Sequence, residues 1–141
     1  MILASCSVLH LRGVQGQIPN MPFINEKTGN IMLYNGELYD ISKDFFSIIE
    51  EKFFQYDHKN QILTLLKGFS RTENDTIQIF KILNCLSQLN IKADDYLNLV
   101  NFIFSSFKGD FSILFFDNSK KIIFIGKDSI GKRSLLLRNK T

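Results

Sequence analysis

The sequence Leu-Tyr-Asn-Gly-Glu-Leu-Tyr-Asp occupies residues 33–40 and continues an apolar run that begins at Ile31. An apolar run that ends in Asn35-Gly36 predicts a strand over residues 31–34 and then a tight turn, because Asn and Gly tolerate positive φ. Asn-Gly between β-prone runs is most often a hairpin turn. The alternative is an oxyanion site, in which the Asn35 amide and the Gly36 N–H bind one developing negative oxygen.

The bulk composition predicts one globular domain without a nucleic-acid footprint. The chain has 141 residues, 45% hydrophobic and 22% charged content, and a net charge of +3 with scattered Lys and Arg. Cys6 and Cys85 are far apart, and neither His10 nor His58 has metal-ligand spacing with them, so we expect no disulfide framework and no metal site. Residues 1–8 are too short to span a membrane and lack a basic flank. A cytoplasmic protein without a membrane contact is therefore expected.

The order of apolar patterns predicts strands, then helices, then strands. Strands are predicted at residues 1–11, 31–34, 111–116, 121–125 and 134–137, with a loop at residues 14–27 and turns at residues 108–110 and 117–120. Helices are predicted from about Ser42, from residues 73–76 up to Asn90, and at residues 93–106, while residues 61–66 fit a short helix or a strand. This order indicates an α+β fold with antiparallel sheets.

Two further polar segments allow more than one interpretation. Asp75 stands where the second long helix begins, so it is either a cap or a first-turn carboxylate that suits the helix dipole. Residues 126–131 have glycines spaced like part of a phosphate loop, but Arg133 follows Lys132 where a Walker motif needs Ser or Thr. We interpret that segment as a structural turn, although Lys127, Lys132 and Arg133 remain available to an acidic partner or a phosphate.

Three sequence segments then agree in order and spacing. They are the stretch at residues 33–39, Glu-Asn-Asp-Thr at residues 73–76, and Gly-Asp-Phe-Ser-Ile-Leu-Phe-Phe-Asp at residues 109–117, which continues into the glycine-containing segment at residues 124–136. Together they resemble the class II glutamine amidotransferase domain of asparagine synthetases. Val-Leu-His-Leu-Arg-Gly at residues 8–13, and Ser134 where asparagine synthetases usually carry Pro, are similar to one subgroup of these proteins.

The resemblance implies the N-terminal nucleophile fold, a four-layer αββα sandwich with antiparallel sheets. It extends from about Ala4 to Leu137, so residues 1–141 are expected to form a partial glutamine amidotransferase type 2 domain. Residues 41–72 are expected to be an insertion. The first strand, the last strand and the C-terminal synthetase domain of the family are expected to be missing. ATP and magnesium would belong to that synthetase domain, and this chain is expected to need no cofactor.

The same resemblance implies roles for five residues in binding glutamine. Asn35 and Gly36 correspond to the oxyanion donors, and Glu37 to the wall of the glutamine pocket. Asp75 corresponds to the residue that binds the substrate α-amino group, and Arg12 is a candidate for the arginine that binds its carboxylate. The family hydrolyses glutamine with a Cys at the mature N-terminus and passes the ammonia to asparagine synthesis.

The chain departs from the family at the nucleophile, because it begins Met-Ile-Leu and Cys6 is internal. Glutaminase activity by the usual mechanism is therefore not expected, and the enzyme assignment stays open. One alternative is a non-catalytic amidotransferase-like module that binds glutamine or a protein partner. Another is an unrelated α+β domain in which Asn35, Gly36 and Asp75 do not share a pocket.

Overall fold

Residues 21–53 and 59–135 are described by the computed structural model. Their elements in chain order are β1 (Phe23–Ile24), β2 (Ile31–Ile41), α1 (Asp44–Phe53), α2 (Lys59–Lys67), α3 (Asp75–Ser87), α4 (Ala93–Ser105), β3 (Phe107–Asp117) and β4 (Ile122–Lys127). The strands form an antiparallel sheet in the order β1-β2-β3-β4, and these four helices come between β2 and β3 in the chain. The predicted α+β class with an antiparallel sheet is thus confirmed.

The two central strands, β2 and β3, pair along almost their whole length. Ile31 lies opposite Phe116 and Ile41 lies opposite Phe107. β3 then continues into β4 through a turn in which Oδ1 of Asp117 accepts hydrogen bonds from the backbone N–H groups of Ser119 and Lys120, at 2.9 and 3.1 Å. This side-chain-to-backbone pattern is typical of Asx turns and confirms the hairpin predicted at residues 117–120.

One face of the sheet forms the hydrophobic core together with the helices. The buried cluster includes Met32, Leu38, Phe111, Ile113, Phe115 and Phe124 from the strands and Ile49, Ile62, Ile79, Ile82, Leu86, Tyr96 and Ile103 from the helices. Strand side chains alternate between faces, so their neighbours lie on the opposite face. There Ile24, Ile123 and Ile125 remain 55%, 42% and 42% exposed.

The described residues contain one sheet and one helical layer, whereas the predicted sandwich has two of each. A sandwich is compatible with this arrangement because the second sheet face is apolar and partly exposed at Ile24, Ile123 and Ile125. The second sheet and the N-terminal nucleophile fold stay predictions. The strand predicted at residues 1–11 lies outside the described residues.

The turns predicted at residues 35–36 and 108–110 are wrong, because both segments lie inside long paired strands. Their glycines serve close strand pairing instead. A Cβ on Gly36, which has φ of 149°, would lie 2.2 Å from the carbonyl oxygen of Asp110. A Cβ on Gly109 would lie 2.3 Å from the carbonyl oxygen of Glu37. The glycines that made these segments resemble turns are instead required by the close approach of the two backbones.

Three smaller differences concern element boundaries, and one open alternative is decided. The loop predicted at residues 14–27 contains the short strand β1, and α1 begins at Asp44 rather than near Ser42. Residues 61–66 are helical, within α2, while Ser134 and Leu135 at the start of the last predicted strand are not in a strand. α1 and α2 make up most of residues 41–72, whose origin as an insertion stays a prediction.

The close approach of β2 and β3 predicts a position-specific penalty for adding one methyl group. Gly36→Ala should lower the free energy of unfolding by about 1–3 kcal/mol, because an overpacked contact forces the backbones apart. Gly126→Ala is the matched control, since its Cβ would lie 3.6 Å from Cγ2 of Ile113, an ordinary contact. Urea denaturation followed by circular dichroism measures both. Equal midpoints for the two variants would contradict the crowding at Gly36.

Candidate functional site

Asp75 is the first residue of α3, and its carboxylate fastens that helix to strand β2. Oδ2 of Asp75 accepts a hydrogen bond from the backbone N–H of Leu38 at 2.7 Å, and Oδ1 accepts one from the N–H of Thr76 at 2.9 Å. The side chain of Asn74, rather than Asp75, caps the helix by accepting a bond from the N–H of Ile77. Asp75 is buried, so its orientation is fixed by these two donors.

The Leu38 contact shows which edge of β2 the carboxylate occupies. β1 pairs with β2 at Ile31 and Met32 and leaves the rest of that edge without a strand among the described residues. The Leu38 N–H must point to this edge, away from β3, because it reaches Asp75. Backbone groups alternate sides along a paired strand, so the N–H of Gly36 points to the same edge. We call Asn35, Gly36, Glu37, Leu38 and Asp75 the β2-edge site.

The β2-edge site joins residues that are far apart in the chain. Its side chains do not all lie on one surface, because Asn35 and Glu37 lie on a face of the sheet and Asp75 lies at the edge of β2. Asn35 lies opposite Ser112 and Glu37 lies opposite Asp110, on the sheet face that points away from the core cluster. Asn35 is exposed and Glu37 is half-buried. The structure therefore brings Asp75 next to the Asn35–Glu37 segment, with the Gly36 N–H on the Asp75 side.

Other residues named from the sequence lie outside the described ranges. Arg12, the candidate for binding the substrate carboxylate, cannot be located relative to the β2-edge site, and neither can Cys6. No group of three or more His, Cys, Asp or Glu side chains within residues 21–53 and 59–135 is arranged to hold a metal ion. In the same residues, no helix is long and apolar enough to cross a membrane.

A second polar cluster, formed by Tyr39, Asp110 and Lys132, was missed by the sequence reasoning. Oδ2 of Asp110 accepts hydrogen bonds from the Tyr39 hydroxyl at 2.6 Å and from Nζ of Lys132 at 2.7 Å. The sequence places Asp110 in a turn. In the structure, Asp110 lies in β3 opposite Glu37, and the nearby Tyr39 belongs to the paired strand β2. The pairing of β2 with β3 was the missing signal, because it sets Asp110 close to the register shift that contains Tyr39, while Lys132 reaches Asp110 from the segment after β4.

The ionisable groups of this cluster shift one another's pKa values. The Lys132 ammonium and then the Tyr39 hydroxyl, by donating to the carboxylate, lower the pKa of Asp110. The same carboxylate raises the pKa of Lys132 and, by accepting the hydroxyl proton in a hydrogen bond, the pKa of Tyr39. The cluster is thus built around an ionised Asp110 at neutral pH.

Within the glycine-containing segment at residues 126–131, Gly126 and Lys127 end β4, and the turn that follows is organised by Asp128. Its Oδ1 accepts hydrogen bonds from the N–H groups of Ile130, Gly131 and Lys132 at 3.0, 2.6 and 3.4 Å. Burial opposes ionisation of Asp128, but these donors and the N–H of Phe111 outweigh it and lower the pKa. The chain's own carboxylate occupies the amide groups that would cradle a phosphate, so the structural-turn interpretation is confirmed.

Comparison with known proteins gives one distant similarity. The human protein named asparagine synthetase domain-containing protein 1 is 28% identical over 135 residues, which are 95% of this chain and 15% of the human protein. No protein-family model and no solved structure matches the chain. The similarity supports the asparagine-synthetase family indicated by the motifs, and the chain spans only a small part of that relative.

The charge pair of Asp110 and Lys132 predicts a defined pH window for its contribution to stability. Because the folded-state pKa of Asp110 is lowered, its contribution exists above the unfolded value of about 3.9 and is lost as the pH falls through the lowered value. Because the pKa of Lys132 is raised, its contribution exists below about 10.4 and is lost as the pH rises through the raised value.

Lys132→Met should therefore lower the Tm by a few degrees between these limits and by less outside them. Thermal unfolding by circular dichroism across the pH range measures this difference. Lys43→Met, which removes an exposed Lys elsewhere, is the control. A Tm difference between the Lys132→Met variant and the unchanged chain that is independent of pH would contradict the pair.

Proposed function

We propose that this chain is a glutamine amidotransferase-type domain of an asparagine-synthetase-like protein, and that the β2-edge site binds L-glutamine. The observation that carries the proposal is the hydrogen bond from the Leu38 N–H to Asp75, at 2.7 Å. It links two segments that are 37 residues apart and that the family uses together. In a chance resemblance, nothing would require these segments to meet.

The chemistry of amide recognition suits the arrangement. The Gly36 N–H, at the edge of β2 away from β3, donates to the side-chain carbonyl oxygen of glutamine, with the Asn35 amide as the second donor once its side chain turns toward that edge. Such donors gain strength as negative charge develops on that oxygen, and one donor contributes about 3 kcal/mol in related sites. Asp75 supplies the carboxylate for the substrate ammonium group through Oδ2, which keeps a second lone pair beside its bond from the Leu38 N–H, whereas Oδ1 already accepts from the N–H and, at 3.5 Å, the hydroxyl of Thr76.

In the full-length parent, the proposed role is to release ammonia from glutamine for asparagine synthesis from aspartate and ATP. The residues argued above are those that bind glutamine. The nucleophile, Cys6 and Arg12 do not enter this argument, because residues 1–20 are outside the described ranges.

A second candidate function is a non-catalytic amidotransferase-like module. It is favoured by the same Asp75 carboxylate, since both of its oxygens already accept backbone N–H groups and so serve the fold. In this alternative the β2-edge site is structural, and no glutamine binds.

Titration of the isotope-labelled chain with L-glutamine, followed by backbone amide NMR, tests the proposal. Saturable shifts are expected at Gly36 and Leu38, with D-glutamine giving much weaker ones. Asn35→Ala should weaken binding by roughly tenfold, the size of one lost hydrogen bond. Asn35 is exposed, so the variant should fold.

Asn101→Ala, which truncates an exposed Asn in α4, is the matched control and should bind L-glutamine unchanged. Absence of shifts at Gly36 and Leu38 at saturating L-glutamine would sink the glutamine proposal and leave the structural module. Equal affinity of the Asn35→Ala variant would remove Asn35 from the site.

A further inference from the structure

Strand β3 extends beyond its neighbour β4 at the end that follows α4. β4 pairs with β3 up to Lys127, which lies opposite Ser112. The preceding residues, from Phe107 to Asp110, pair with β2 on one side. On their other side, no strand is present within residues 21–53 and 59–135. Among the described residues, this stretch is an open strand edge.

The direction of the backbone groups at this edge follows from Phe111. Its N–H donates to Oδ2 of Asp128 at 3.1 Å, and its carbonyl accepts from the Asp128 N–H at 2.9 Å, so both groups point away from β2. Because strand groups alternate sides, the N–H and carbonyl groups of Gly109 and Phe107 point the same way. They present the donor and acceptor spacing that an added strand needs.

A cleft of about 630 Å³ lies along this edge. The last turn of α4 forms one wall with Asn101, Phe104 and Ser105, and the loop after β4 forms the other. Phe104 and Phe107 are half-buried in it, with ring centroids 5.5 Å apart in an edge-to-face contact. The cleft therefore offers apolar ring surface beside the open backbone groups.

The charges that line the cleft favour an acidic ligand. The side chains of Lys108 and Lys127 are exposed at its rim. The two carboxylates, Asp110 and Asp128, already bind the Lys132 ammonium and the loop N–H groups respectively. When Lys132 is counted with Lys108 and Lys127, three ammonium groups stand against these two carboxylates, so the local excess is positive.

We propose that an extended, acidic peptide segment of a protein partner adds to the sheet at the Phe107–Asp110 edge and lies in this cleft. Its backbone pairs with Gly109 and Phe107, its apolar side chains contact the rings of Phe104 and Phe107, and its carboxylates face Lys108 and Lys127. A second copy of this chain is disfavoured at the same edge, because edge-to-edge pairing would set the lysines of one copy against those of the other.

The test uses the 141-residue chain and a fluorescently labelled, capped peptide of alternating Glu and Val, measured by fluorescence anisotropy. Saturable binding is expected, and the Lys-Val peptide of the same length should not bind. The Glu-Val peptide methylated on alternate backbone nitrogens keeps its charge but cannot pair with a strand. It should lose at least about tenfold in affinity, which corresponds to the loss of one or more backbone hydrogen bonds.

Charge reversal at the rim gives the second arm of the test. Lys108→Glu with Lys127→Glu should weaken binding at least about tenfold, while Lys81→Glu, an exposed position on α3, should leave it unchanged. Three results would overturn the proposal. They are no binding of the Glu-Val peptide, equal binding after backbone methylation, and amide protection at Gly109 that rises with protein concentration without peptide, which indicates self-pairing.

Discussion

The hydrogen bond from the backbone N–H of Leu38 to the carboxylate of Asp75 is the contact on which the described structure depends most. It is short, at 2.7 Å, and buried, and it satisfies a strand N–H that points away from β3. A buried N–H without a partner would cost about 1–3 kcal/mol. The same bond fixes where α3 begins relative to β2. It therefore sets both the packing of the central helix and the position of the proposed ammonium-binding group beside Gly36.

The pairing of β2 with β3 provides the second constraint, and it separates two functions along the sheet. Gly36 and Gly109 allow the two backbones to approach where a Cβ would meet a carbonyl oxygen. The outer edge of β2 then faces Asp75, whereas the outer edge of β3 faces the cleft beside α4. A ligand at one edge and a peptide at the other would contact opposite sides of the same rigid strand pair.

The sequence predicted the fold class better than it predicted the strand ends. The apolar patterns of α3 and α4 and the turn at residues 117–120 are local signals, and the structure follows them. Asn35-Gly36 and Gly109-Asp110 carry the composition of turns, but their conformation is decided by a strand pairing across more than 70 residues. The hydrogen bonds that join Tyr39 and Lys132 to Asp110 depend on that pairing, and no local sequence pattern indicates them. The proposed substrate-binding role of Asp75 came from the family resemblance. Local sequence rules favoured Asp75 as the helix N-cap, but the side chain of Asn74 provides that cap.

Amide hydrogen exchange at Leu38, followed by NMR in the unchanged chain and in the Asp75→Asn variant, tests the central claim most directly. The account predicts strong protection of the Leu38 N–H, which points away from β3, and a selective loss of that protection in the variant while Met32 and Ile113 stay protected. Fast exchange at Leu38 in the unchanged chain, or equal protection in both proteins, would contradict the account. Either result would detach Asp75 from the strand that carries Asn35 and Gly36.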